Sequence, residues 1–209
     1  MQTAQPATLS RYGAGMVLIA AMLWGTTGTA QALAPAGATP LAVGGLRLLI
    51  GGGAMFALAY WRGHLRDLRV WPRTPLIVGG VAVALYQLCF FAGVDRAGVA
   101  VGTIVGIGSA PVIAGVLDYV VLQVPLSRRW FVATGLALAG CTLLALSGGT
   151  TNAVDPLGVL LAVLAGGSYA TYTLAGKLLL TDHSPDGVVG AFFAMGALII
   201  LPLLFTVDL

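Results

Sequence analysis

Seven apolar stretches dominate this sequence, at approximately 14–33, 41–61, 76–94, 97–121, 130–147, 157–179 and 187–206. Each is long enough to cross about 30 Å of hydrocarbon at 1.5 Å per helical residue. Only 8% of the 209 residues are charged and 58% are hydrophobic, whereas a soluble domain carries about 25% charged residues. A transmembrane barrel would show alternating runs of about ten residues; these runs are unbroken. The expected fold class is therefore an all-α integral membrane protein, a multi-spanning bundle of about seven helices. The first stretch is too long for a signal-peptide core, and Pro35 directly after Ala32-Leu33-Ala34 argues against cleavage there.

The basic residues lie between the stretches, where membrane orientation explains the net charge of +3 and nucleic-acid binding does not. Arg11, Arg62, Arg66, Arg69, Arg73, Arg128, Arg129 and Lys177 fall to one side of the expected threading, and Arg96 to the other. The positive-inside rule then places the N-terminus in the cytoplasm of a multi-pass protein of the cell's inner membrane. The 61–73 segment, WRGHLRDLRVWPR, reads as a basic loop on lipid headgroups with His64 at the surface. Cys89 and Cys141 fall inside apolar stretches and read as packing residues; no metal-ligand spacing and no cofactor motif is present.

A repeat is visible. GMVLIAAM at 15–22 matches GVLLAVLA at 158–165, and Thr39-Pro40 matches Ser184-Pro185. The sixth stretch thus restarts a unit of five, which divides the chain into 1–150 and 151–209. An odd number of spans forces the second unit to enter from the opposite side, giving an inverted repeat. That plan is common in transporters, with the substrate site between the copies near mid-membrane. The second unit stops after two helices, so the chain is expected to be a fragment or a truncated frame.

Polar residues in the stretches need partners or a wet cavity. Trp24, Thr27 and Gln31 share a helix face at i, i+3 and i+7 and are candidates to line a substrate path. Tyr86 and Gln87, Thr103 and Ser109, and Ser168 with Tyr172 at i, i+4 join them. The competing readings are helix packing and, for Tyr86, an interfacial belt. Arg47 lies about 10 Å into the second stretch. It either pairs with helix-end carbonyls and snorkels outward, or anchors a substrate carboxylate. Lys177 is expected to snorkel. Asp118 is expected to reach water, meet Arg128 or Arg129, or take a proton-linked role.

The fourth stretch, GTIVGIGSAPVIAGVLDY at 102–119, is rich in helix breakers. Gly102 and Gly106 form a G-x-x-x-G face for close helix approach. Pro111 leaves the Ile107 carbonyl without its usual donor, with Gly108 and Ser109 beside it and Ser109 able to satisfy a freed group. Gly106, Gly108 and Pro111 are the candidate hinge.

Trp24-Gly25, Leu46-Arg47, LYQLCFFAGV at 85–94, SAPVI at 109–113 and PLSRRWFVATGLALAGCTLLAL at 125–146 together resemble the EamA-type transporters of the drug/metabolite transporter superfamily. The resemblance implies ten helices in two inverted five-helix repeats. It also implies transport of small organic metabolites, with amino acids, aromatic ones included, as exported substrates. The sequence departs from the family in reading Gln123-Val124-Pro125 where an acid is frequent, and in lacking the last three helices of the second repeat. The expected partners are a small-molecule substrate and membrane lipids. The competing functions are an inactive or scaffold fragment and, more remotely, an intramembrane enzyme. Against an enzyme stand the absence of any Glu or Gly-x-Ser-x-Gly, and two histidines that both lie outside the spans.

Overall fold

The computed structural model describes residues 7–34, 38–147 and 155–206, and all regular structure among them is helical. Two compact units divide the chain, 1–35 and 36–209. The first holds α1 (Ala7–Gly25) and the short α2 (Thr27–Ala32). The second holds α3 (Pro40–Trp61), α4 (Arg73–Ala97), α5 (Val99–Leu122), α6 (Arg128–Ser147), α7 (Pro156–Leu179) and α8 (Pro185–Leu204). Helices α3, α4, α5, α7 and α8 are each long and apolar enough to cross a membrane. In hydrocarbon only a helix satisfies its own backbone within one segment, which is why uninterrupted apolar sequence becomes uninterrupted helix. The Arg11 and Cys141 side chains and the 148–154 connection, where the 150/151 unit boundary falls, lie outside the described residues.

The helix ends are set by local chemistry. Three helices start with a polar cap followed by proline at the first helical position, where the missing N–H costs nothing. Thr39 Oγ1 accepts from the Ala42 N–H at 3.1 Å, Asp155 Oδ1 from Leu157 at 2.9 Å and Ser184 Oγ from Gly187 at 3.3 Å. The matched Thr39-Pro40 and Ser184-Pro185 pairs thus perform the same capping task. Helices α4 and α5 are joined by Gly98 alone, at φ +84°, a conformation that favours glycine. Asp95-Arg96-Ala97-Gly98, lying between the third and fourth apolar stretches, reads from the sequence as a connecting turn at 95–98, whereas α4 continues through Arg96 to Ala97. The first apolar stretch is in turn less regular than expected, being broken at Thr26, whose hydroxyl donates to the Leu23 carbonyl at 2.7 Å.

In the second unit α7 packs along α4 and α5, and α8 along α3 and α4. Phe91, Phe192, Leu48, Leu179, Ile200 and Val83 are fully buried between them. The closest approaches occur at small residues. A Cβ built on Gly93 of α4 would lie 3.0 Å from the Ala162 nitrogen and 3.1 Å from the Gly158 carbonyl oxygen of α7. One on Gly166 of α7 would meet the Ser109 hydroxyl and lie 2.7 Å from the Gly106 carbonyl oxygen of α5. Gly102 has the Val94 backbone of α4 at 2.8 Å, so the G-x-x-x-G face does admit close neighbours. Lipid tails are as apolar as leucine, so such backbone-close packing does much of what burial does in water.

Ion pairs fasten the ends of these helices. Arg96 Nη1 at the end of α4 donates to Asp155 Oδ2 at the start of α7, 3.2 Å away. At the opposite end of α7, Lys177 Nζ donates to Asp118 Oδ2 of α5 at 2.5 Å. Of the alternatives for Asp118, the pairing with Arg128 or Arg129 gives way to Lys177, which keeps an exposed side chain and gains a partner. Helix α7 is thus antiparallel to α4 and parallel to α5. The α3–α4 loop is tied down as well. His64 Nδ1 lies 2.9 Å from both Asp186 carboxylate oxygens, and Arg62 Nη1 donates to Asp186 Oδ2 at 3.1 Å. Trp71 stacks on His183 at 4.0 Å and is only 4% exposed, whereas Trp61 is 84% exposed. The two tryptophans of the basic loop therefore do different jobs; only Trp61 is free to meet headgroups.

Two predictions follow from this packing. Gly166→Val places branched carbons against the α5 backbone and should destabilise the chain by roughly 1–3 kcal/mol. Gly135→Val, on a surface with no atom within 4 Å, should be near neutral in the same thermal-unfolding assay. Equal losses would contradict the glycine seam. The carboxyl of Asp155 is held below the usual aspartate range by the Leu157 N–H and, next among the favourable contacts, by Arg96. A depressed folded pKa adds stability that is complete above the unfolded value of about 3.9 and is lost as pH falls through the folded value. The wild-type advantage over Asp155→Asn should therefore be constant from pH 7 to 5, begin to fall as pH drops through about 4 and vanish only below the depressed folded value; an advantage unchanged at about pH 3 would contradict it.

Candidate functional site

The charged group set deepest in α3 is Arg47, two turns from the Thr39 cap. Its side chain is exposed, and its guanidinium carbon lies 5.9 Å from the centre of the Phe91 ring, within cation–π range. Among the described residues no carboxylate pairs with it. Phe91 can lie there because position 44 is glycine: a Cβ at Gly44 would be 2.8 Å from Phe91 Cδ2. The same glycine serves Gln87, whose Nε2 donates to the Gly44 carbonyl at 3.4 Å. Gln87 is the one buried polar side chain among the described residues, at 4% exposure. Its amide ties α4 to α3 and places Phe91, one turn on, beneath Arg47.

From Phe91 a chain of rings crosses from α4 to α7. Phe91 meets Phe90 edge-on at 5.5 Å, and Phe90 stacks with Tyr86 at 5.6 Å. Tyr86 meets Tyr169 at 6.0 Å, and Tyr169 meets Tyr172 edge-on at 5.0 Å. These separations suit the edge and offset geometries that aromatic quadrupoles favour. The Tyr86 hydroxyl oxygen is enclosed. The arrangement is an exposed cation above a packed core of rings and one buried amide, with Tyr86, Tyr169 and Tyr172 only partly buried.

Within the second unit the structure thus connects Arg47, Tyr86, Gln87 and Tyr172, and Thr103, Ser109 and Ser168 do not join that chain of contacts. Ser109 sits at the α5–α7 seam, with its hydroxyl donating to the Gly106 carbonyl at 3.3 Å rather than compensating for Pro111 at Ile107. Helix α5 runs unbroken through Pro111, with Gly106 and Gly108 buried. The Thr103 hydroxyl oxygen is enclosed with no partner among the described residues. Ser168 lines an open apolar groove of about 490 Å³ between α4, α5 and α7, which Tyr172 does not line. Trp24, Thr27 and Gln31 are half-buried in the first unit, Trp24 on α1 and the other two on α2 with the buried Gly28, so the break at Thr26 divides the face that their spacing predicts. Sequence reasoning passed over Phe90, Phe91 and Tyr169. The aromatic pair in LYQLCFF and its i, i+4 and i, i+5 spacing from Tyr86 were the available signal.

The family model of the EamA-like transporter family matches residues 11–146. This chain belongs to the EamA-like transporter family. A relative with 46% identity over 193 residues is the uncharacterized transporter YwfM of Bacillus subtilis (strain 168). The match covers 92% of this chain and 64% of that relative, so the chain spans a little under two thirds of its length. No solved structure matches significantly. Five of its helices are long and apolar enough to be the membrane spans that a protein of this family requires.

The amide tie is testable. Gln87→Leu keeps the approximate volume but removes the donor to Gly44, and should cost about 0.6–1 kcal/mol, the usual worth of an interhelical hydrogen bond in a membrane protein. Unfolding in detergent measures it; an unchanged or raised stability would show that the amide is not the tie between α3 and α4.

Proposed function

We propose that this protein is a secondary transporter that exports small organic metabolites across the cell's inner membrane, with amino acids, aromatic ones included, as the substrate class. Residues 1–150 form one five-helix repeat in this reading, and 151–209 begin an inverted second repeat. Transport proceeds by alternating access, as the cavity between the repeats opens to one side and then the other. The N-terminus is cytoplasmic, in keeping with the arginines gathered in the 62–73 and 128–129 connections.

One observation carries the substrate class: the Arg47 guanidinium stands over Phe91 at the head of the ring chain, with no described acid to neutralise it. A carboxylate meets the cation there, and a planar side group meets Tyr86, Tyr169 or Tyr172. Thr103, Ser109 and Ser168 are the further proposed substrate contacts of the second unit, and Trp24, Thr27 and Gln31 those of the first. Gly106, Gly108 and Pro111 supply the hinge, because Pro111 removes one backbone donor and the glycines leave room for α5 to shift against α7. No covalent chemistry is required, and the energy comes from differential binding to the two open states.

Counterflow into liposomes tests this reading, with a panel of amino acids and unrelated metabolites. The protein should carry at least one aromatic amino acid above the empty-liposome rate. Arg47→Gln should raise its half-saturation concentration roughly thirtyfold, from about 2 kcal/mol for a lost charge pair. No flux for any solute, or an Arg47→Gln protein with unchanged saturation, would overturn it.

A further inference from the structure

Two concavities of the second unit share Ile77. One is the apolar groove of about 490 Å³, walled along α4 by Val81 and Leu85 and opposite by Ile113, Val163 and Leu164. The other, of about 430 Å³, lies where the α3–α4 loop enters α4, and its polar lining is Arg69 and Arg73. Neither lining contains an acid. Among the described residues the ion pairs engage Arg62, His64, Arg96 and Lys177; Arg69 and Arg73 are exposed and join none. The back wall of the basic concavity is Trp71, buried and stacked on His183.

The order of these groups along α4 is specific. Arg73, Ile77, Val81 and Leu85 follow one another at intervals of four, so one helix face runs from a cation into an apolar track. From Arg73 to Leu85 the face is about 18 Å long and its apolar part, from Ile77, about 12 Å, against the roughly 15 Å depth of one leaflet's hydrocarbon. The floor competes little for water: Thr171 donates its hydroxyl to the Gly167 carbonyl at 2.8 Å. An anion alone would leave the groove empty, and an apolar partner alone would leave two arginines unmatched. A molecule with one phosphate and a long hydrocarbon tail satisfies both.

We propose that the joined concavities bind one phospholipid with an anionic headgroup. The phosphodiester lies between Arg69 and Arg73, and one acyl chain lies along Ile77, Val81 and Leu85. This is a defined site rather than a diffuse basic surface, because the same residue, Ile77, closes the headgroup concavity and opens the acyl track.

Native mass spectrometry of the full chain, released from a neutral detergent, tests the site. The probes are phosphatidylglycerol and phosphatidylcholine of identical acyl composition, with glycerophosphoglycerol as the headgroup alone. The wild type should retain phosphatidylglycerol over phosphatidylcholine by roughly thirtyfold, about fivefold for each arginine, and should not retain the headgroup alone. Arg69→Gln with Arg73→Gln should abolish the preference, while Arg66→Gln with Arg128→Gln, an equal loss of charge outside the concavity, should keep it. Val81→Trp should reduce retention of both lipids by filling the track, and circular dichroism of every variant should show unchanged helix content. Equal retention of the two lipids by the wild type would overturn the proposal. So would a preference that survives loss of Arg69 and Arg73 or disappears with the control pair. Binding of the headgroup alone would mark a soluble-phosphate site instead, and a lipid-independent dimer blocked by Val81→Trp would mark the groove as an interface between copies.

Discussion

The architecture of the second unit depends on the approach of one helix backbone to another. Helix α7 lies against α4 at Gly93 and Gly158, and against α5 at Gly106 and Gly166, with backbone atoms of one helix where a side chain of the other would otherwise stand. In water, such helices could be held together by burying leucine. In lipid that term is weak, and close van der Waals contact must supply the adhesion. The many glycines that look like helix breakers in the sequence are therefore adhesive surfaces. Helix integrity is not lost, since the membrane leaves the backbone no better option than its own hydrogen bonds.

Close packing alone would allow a helix to slide in register, and the charged residues at the ends prevent this. Arg96–Asp155 and Lys177–Asp118 hold α7 at its two extremities, to different neighbours. Asp186 gathers Arg62 and His64 at the start of α8. Each of these pairs is at least partly exposed, so each is worth little as stability; its use is to fix register. The register then decides which rings meet in the middle. Tyr86 finds Tyr169 because α4 and α7 run antiparallel with their ends fastened, and Phe91 finds Arg47 because Gly44 and Gln87 set the spacing of α3 and α4.

The elements were largely legible, and the contacts were not. Apolar runs bounded by Thr39-Pro40, Asp155-Pro156 and Ser184-Pro185 mark helix starts on chemistry local to each site. The error at 95–98 has a physical cause: Asp95 and Arg96 look like loop residues until Arg96 is seen to be matched by Asp155, 59 positions away. Lys177 is absent from the partners the sequence offers Asp118 for the same reason, since helix pairing cannot be read from one helix. Spacing could not show that the helix carrying Trp24 ends before the one carrying Thr27 and Gln31 begins. It could not connect Tyr86 to Tyr169, or send Ser168 to the groove and Tyr172 to the rings, because those outcomes depend on which helices meet. Trp71 shows the same limit: an indole in a basic loop has the composition of a headgroup anchor, yet its partner is His183.

The central claim is that α7 runs antiparallel to α4 through a glycine seam, with its first turn beside the end of α4. A Cβ at Gly158 would lie 2.9 Å from the Ala97 Cβ, inside the roughly 3.5–4.5 Å that a disulfide spans, so the two positions face each other and a parting of the helix ends by about 1 Å admits the bond. The most direct measurement is oxidative cross-linking in intact membranes, on a background free of the native cysteines. Ala97→Cys with Gly158→Cys should form an intramolecular disulfide rapidly and nearly completely, and Ala97→Cys with Lys177→Cys, at the far end of α7, should form none. Cross-linking of the second pair, or failure of the first in protein that is folded and inserted, would contradict the account.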